Sequence, residues 1–116
     1  MPYFSIETNK QIDSSTNEDL MKKATTFLAE MMEKPEHVIM VTIKSETPMV
    51  FAGISGPAAF VQVKAVKLEK SKCPEFSNKV CDFLEKEINI PKDRVFIEFI
   101  DIDPTIFGFN GDTLAH

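Results

Sequence analysis

Long apolar runs are missing from this 116-residue chain, and none approaches the roughly 20 residues that cross a bilayer. No basic stretch followed by an apolar one opens it, so no secretory signal is read and the expected compartment is the cytoplasm. Positive charge is scarce too. Thirteen Lys and Arg against eighteen Asp and Glu leave a net charge of −5, which disfavours nucleic acid or an anionic membrane as the main partner. Thiols and imidazoles are few. Cys73 and Cys81, eight positions apart on one expected helix, would have Cα atoms about 12 Å apart, beyond disulfide reach. They are read as one thiol near a helix start and one in the core. His37 and His116 stand far apart with no acidic or thiol cluster beside them, so neither a metal site nor a cofactor is expected.

What is present is an ordinary globular composition, 43% apolar and 27% charged. That length and content suit a single domain over residues 1–116, small enough to gain from oligomerisation. The beginning carries the most distinctive chemistry. Pro2 has a small side chain, which favours removal of Met1 and would leave a free secondary amine on a rigid ring. A strand-like run, Tyr3-Phe4-Ser5-Ile6-Glu7, follows at once. An amine at the start of a packed strand is held in place, and burial or nearby cations lower its pKa toward that of a base near neutral pH. The plainer alternative is that Pro2 is only the residue after Met.

Ser15-Thr16-Asn17-Glu18 has capping-box spacing, with Ser15 as the expected cap. Leu20, Ala24, Phe27, Leu28, Met31 and Met32 then recur at helical spacing up to Glu33-Lys34-Pro35. Residues 38–43 are β-branched and predict a buried strand, residues 49–52 a short strand, and residues 58–68 a long alternating strand. Pro74 suits the first turn of a second helix whose apolar stripe is Phe76, Val80, Phe83, Leu84 and Ile88. Residues 94–100 form another strand, and the tail holds Phe107 and Phe109 before the turn Asn110-Gly111-Asp112.

The two halves echo each other. Phe27, Leu28 and Pro35 recur as Phe83, Leu84 and Pro91, each offset by 56 residues. The halves, roughly 1–57 and 58–116, each read strand–helix–strand, and such a crossover joins parallel strands. The fold class is therefore α/β, with two pseudo-repeated βαβ units forming a four-stranded sheet and both helices on one face. The other face is expected to carry apolar side chains that another sheet or subunit must cover.

Several pieces coincide along the whole chain: Pro2 opening a strand, Lys34-Pro35 closing the first helix, and Pro48-Met49-Val50-Phe51 before a glycine turn and Pro57-Ala58-Ala59. Arg94-Val95-Phe96-Ile97-Glu98-Phe99 follows Pro91-Lys92-Asp93, and Phe107-Gly108-Phe109-Asn110-Gly111-Asp112-Thr113 comes near the end. Set in this order, they resemble the macrophage migration inhibitory factor family, which includes D-dopachrome tautomerase, within the tautomerase superfamily. The resemblance implies a homotrimer with active sites between neighbouring subunits. It implies an N-terminal proline, here Pro2, shuttling a proton between keto and enol forms of a small aromatic keto acid or its ester. It also implies that Lys34 meets the substrate carboxylate, although a cation at a helix C-terminus is equally explained by the macrodipole. A protein receptor, a cytokine-like role and release without a signal peptide are further properties the resemblance brings.

Other positions depart from the family pattern. Ala65-Val66-Lys67 stands where Ser-Ile-Gly is common, so Val66 keeps an apolar wall while Lys67 replaces glycine. Phe96 replaces a pocket tyrosine, Glu98 a pocket asparagine, Phe109 a tryptophan and Leu114 a phenylalanine; Phe107 and Phe109 are expected to form an aromatic wall. Ala58-Ala59-Phe60-Val61 lacks the Cys-x-x-Cys of some members, which excludes that thiol chemistry. Glu98 has the largest expected effect, since a carboxylate near Pro2 raises the amine's pKa and repels an anionic substrate. Three outcomes stay open: neutralisation by Lys67 or Lys34 with a shifted substrate preference, a catalytically poor pocket serving a binding role, or an edge-strand charge that points away.

Overall fold

The structure, a computed structural model, describes residues 1–115, so His116 lies outside the described residues. The chain runs β1 (Tyr3–Thr8), α1 (Ser14–Met32), β2 (Met40–Lys44), β3 (Ala59–Val66), α2 (Cys73–Ile88) and β4 (Val95–Ile102). A small hairpin of β5 (Gly108–Phe109) and β6 (Asp112–Thr113) follows. The main sheet has the order β2-β1-β3-β4. Within each half the strands are parallel, β1 with β2 and β3 with β4, as a helical crossover requires; the halves meet antiparallel through β1 and β3. Among the described residues, no helix is long and apolar enough to cross a membrane.

The 56-residue echo is structural. Helix α1 ends at Glu33 and α2 at Asn89, both left-handed, with φ of 54° and 55°. Each is followed two residues later by Pro35 or Pro91 and then by a single 3₁₀ turn, Glu36–Val38 or Lys92–Arg94. The repeat brings its own partners together. Phe27 and Phe83 stack with ring centroids 4.6 Å apart, where the two helices face each other. The core lies between helices and sheet, with Phe4, Ile6, Leu28, Val61, Val63, Val80, Leu84 and Ile90 almost fully buried. Burying each such side chain contributes about 1.5–3 kcal/mol against the ordering cost. Cys73 is partly exposed at the start of α2 and Cys81 is buried; both are free thiols.

Three expectations need correction. The cap of α1 is Asp13, whose carboxylate accepts bonds from the Thr16 amide and the Ser15 hydroxyl, each at 2.9 Å. An ionised acceptor outcompetes a hydroxyl for the orphan helix amides, so Ser15 becomes a donor to the cap. Residues 49–52 do not form a strand; only a Phe51–Ile54 bridge forms, closed around Ala52 and Gly53. This loop is held by side chains. The Arg94 guanidinium donates to the carbonyls of Pro57, Phe51, Ile54 and Gly56, and the Asn9 amide donates to Gly56 at 2.9 Å and accepts from Ala58 at 2.9 Å.

The third concerns residues 38–43, expected as a buried strand: β2 starts at Met40 and, as an edge strand, has no fully buried residue. The open face of the sheet carries apolar side chains as expected, among polar ones. Its rows across the sheet are Met40, Tyr3, Lys64 and Ile100, then Thr42, Ser5, Gln62 and Glu98, then Lys44, Glu7, Phe60 and Phe96. The middle row is wholly polar. Apolar exposure concentrates at the edges, where Met40 is 65% and Phe96 64% exposed.

The two tight turns are matched in backbone but not in residue. Ala52-Gly53 and Asn110-Gly111 each place two successive residues at positive φ, as a two-residue primed hairpin turn demands. Asparagine tolerates this conformation and alanine does not, at a cost of about 1 kcal/mol. Ala52→Asn is therefore expected to stabilise the protein by about 0.5–1 kcal/mol in denaturant unfolding; an unchanged midpoint would show that the left-handed alanine carries no strain.

Candidate active site

Strand β1 is an inner strand, so its first residue is fixed from both sides. Tyr3 pairs with Met40 on β2 and with Lys64 on β3. The Pro2 carbonyl accepts a bond from the Met40 amide at 3.1 Å, extending the ladder one residue beyond the strand. Pro2 is buried. It opens onto a cavity of about 430 Å³ lined by Met1, Tyr3, residues 37–40, Lys64, Phe107, Gly108 and Phe109. The cavity's outer wall is the tail, closed back on itself by the bond from the Leu114 amide to the Phe107 carbonyl at 3.1 Å.

The chain's terminal amine, here on Met1, is held below its ordinary value of 8.0, chiefly by burial and then by the Lys34 ammonium. An amine in this place is thus biased toward its neutral, basic form. Lys34 is exposed, just past the left-handed Glu33 that ends α1. It lines a second cavity of about 200 Å³ together with Val66 and Lys67. Lys67 itself is left-handed at φ 57°, and the next amide, Leu68, donates to the Asp101 carboxylate at 3.2 Å. The lysine thus keeps a backbone shape that glycine would adopt without strain.

Of the expected site residues, Pro2, Phe107 and Phe109 share one cavity, and Lys34 and Val66 line a different one. Phe96 and Glu98 are not brought to Pro2 within the chain. They sit on edge strand β4, two strands away from β1. Phe96 packs its ring against Phe51 at 4.8 Å, and the Glu98 carboxylate accepts from the Gln62 amide at 3.1 Å. Among the described residues, no ion pair joins Glu98 to Lys34 or Lys67. Sequence reasoning missed Lys64 and His37 as lining residues. Lys64 looked like the polar half of a strand alternation, and only its pairing opposite Tyr3 places it beside Pro2.

A family model, described as macrophage migration inhibitory factor, matches residues 1–115. The chain belongs to the macrophage migration inhibitory factor family. The homolog from Brugia malayi is 34% identical over 116 residues, covering 99% of this chain and all of that one. The Xenopus tropicalis protein is 34% identical with the same coverage. Among solved structures, the homologue from Prochlorococcus marinus superposes with a TM-score of 0.89 at 32% identity, covering 97% of this chain and 99% of that one. The Trichinella spiralis structure gives 0.87 at 27% identity over 96% and 98%. The family carries a tautomerase-type and cytokine-like function and assembly into homo-oligomers.

The two causes acting on the terminal amine are separable. In protein that retains Met1, its amine is expected to titrate below 8.0 by NMR, and Lys34→Met to move it only part of the way back, because burial is the larger cause. Full return to 8.0 in the variant would make Lys34 the dominant cause instead.

Proposed function

We propose that the protein is a keto–enol tautomerase acting on small arylpyruvate- or dopachrome-like compounds, with Pro2 as general base and acid once Met1 is removed. One observation carries this reading. A buried proline at the first position of an inner strand opens onto a largely apolar cavity, at a terminus where burial and Lys34 already depress an amine. The neutral Pro2 nitrogen takes a proton from the carbon next to the substrate's keto group; the C–H electron pair forms the C=C bond and the carbonyl π pair moves onto oxygen. The protonated proline then returns a proton to that oxygen, giving the enol. A base whose pKa lies near the working pH performs both transfers well.

In this reading Lys34 draws the substrate carboxylate toward Pro2, and Val66, Phe107 and Phe109 enclose the aromatic ring. Phe96 and Glu98 enter from a neighbouring subunit of a homotrimer, since each is exposed on an edge strand and too far along the sheet to serve the Pro2 of its own chain. Glu98 also favours a second reading. A carboxylate brought to Pro2 keeps the amine protonated and repels an acid substrate. The family's cytokine-like side would then be the main role, with the pocket vestigial and the exposed Ile106 and Phe109 available to a protein receptor.

The deciding experiment is an assay with phenylpyruvate and dopachrome methyl ester on protein whose mass shows Met1 removed and whose sedimentation gives the assembly state. Pro2→Gly is expected to lower kcat/KM by about 100-fold or more. Absence of turnover on both substrates would leave the binding role. A second variant isolates the carboxylate: Glu98→Asn should raise kcat/KM on phenylpyruvate by about three- to tenfold and change the ester far less. Equal increases on acid and ester would leave Glu98 acting only on the amine's protonation, and no change on either would remove it from the site's electrostatics.

A further inference from the structure

Carboxylates are absent from the lining of the Pro2 cavity among the described residues, although the chain as a whole carries a net charge of −5. The cavity's fixed cation is Lys64. It is half-buried on β3, directly across from Tyr3, with its ammonium 5.7 Å from the centre of the Tyr3 ring. Among the described residues it enters no ion pair, whereas Lys22, Lys23, Lys72, Lys79 and Lys92 all do. On its own face of the sheet, the nearest acidic position in the β3–β4 register is Glu98, diagonal to Lys64, and its carboxylate is bonded to Gln62; Asp101, opposite Ala65, belongs to the other face. A half-buried ammonium that faces an apolar cavity and lacks a counter-charge is costly, and a ligand anion would relieve that cost.

Lys34 lies at a different place. It lines another cavity, with Lys67 and Lys72, and its charge acts on the Met1 amine. The terminal amine is thus reached by the Lys34 ammonium, while the larger, aromatic-walled cavity beside Pro2 contains Lys64. We propose that Lys64 forms a second anion subsite, and that the preferred ligands are aromatic 2-oxo acids bearing a second acidic group on or beyond the ring. One anionic end meets Lys34, the ring lies against Phe107 and Phe109, and the other anionic end meets Lys64. The proposal deepens the tautomerase reading and rests on its assignment of the Pro2 cavity as the ligand site, while its test by binding is independent of catalysis.

The test uses the assembled protein with Met1 removed and two rigid probes, the monoanion cinnamate and the dianion 4-carboxycinnamate, titrated calorimetrically at low and high salt. The dianion is expected to bind about tenfold more tightly than the monoanion at low salt. That advantage should shrink with salt, disappear in Lys64→Gln and persist in Lys64→Arg. Equal affinities in the native protein, an advantage undiminished in Lys64→Gln, or no binding of either probe would overturn the proposal. Turnover of phenylpyruvate and 4-carboxyphenylpyruvate separates the two claims. Dianion preference in binding without turnover of either acid would sink the tautomerase reading alone, and turnover without dianion preference would sink the Lys64 subsite alone.

Discussion

The hydrogen bond from the Met40 amide to the Pro2 carbonyl is the constraint on which the site depends. Chain termini usually fray because nothing holds their first backbone groups. Here β1 is flanked by β2 and β3, so pairing runs to the first residues, and Tyr3 is gripped from both sides. Proline contributes no amide hydrogen inside a chain, so its carbonyl is the one ladder group it has to offer. With that group bonded, the start of β1 is held in the sheet beside the cavity. Strand topology thus positions the first residues of the chain.

The doubling of one βαβ unit explains why so much of the fold could be read from the sequence. A 56-residue offset linking Phe27 to Phe83 and Pro35 to Pro91 implied two equivalent units, and the packing of Phe27 on Phe83 is where the equivalence closes in space. What the pattern could not supply was the fate of segments that differ between halves. Residues 49–52 have strand-like composition, yet the carbonyls around them are taken by Arg94 and Asn9, which hold a loop where a strand was expected. Periodicity carries no information about a guanidinium arriving from more than 35 residues away. The Asp13 cap was missed for a related reason. Serine and aspartate both suit the position, and the choice between them depends on a one-residue shift that propensity does not resolve.

The candidate site was legible in its chemistry and less so in its layout. Pro2, Phe107 and Phe109 come from opposite ends of the chain and line one cavity. Lys34 and Val66 line a different cavity, and Phe96 and Glu98 lie across the sheet. A sequence lists residues without saying which copy of the chain each serves, so a site shared between subunits looks dispersed in any single chain. Lys64 was hidden differently. Its neighbours alternate as a half-buried strand should, and an alternating lysine is read as solvent-facing until the register sets it opposite Tyr3.

Charge links the fold to the chemistry of the site. Among the described residues no carboxylate lines the Pro2 cavity, and the Met1 amine is biased toward its basic form. The carboxylate able to reverse that bias sits on edge strand β4, bonded to Gln62 in a polar row on the open face. If edge strands meet between subunits, assembly sets how much negative charge reaches Pro2, while the lysines at 34, 64 and 67 belong to the chain itself. The protonation state of the proline then depends on a balance between charges built into each subunit and one supplied by its neighbour. That balance, more than the shape of the cavity, separates an efficient acid tautomerase from a fold retained for binding.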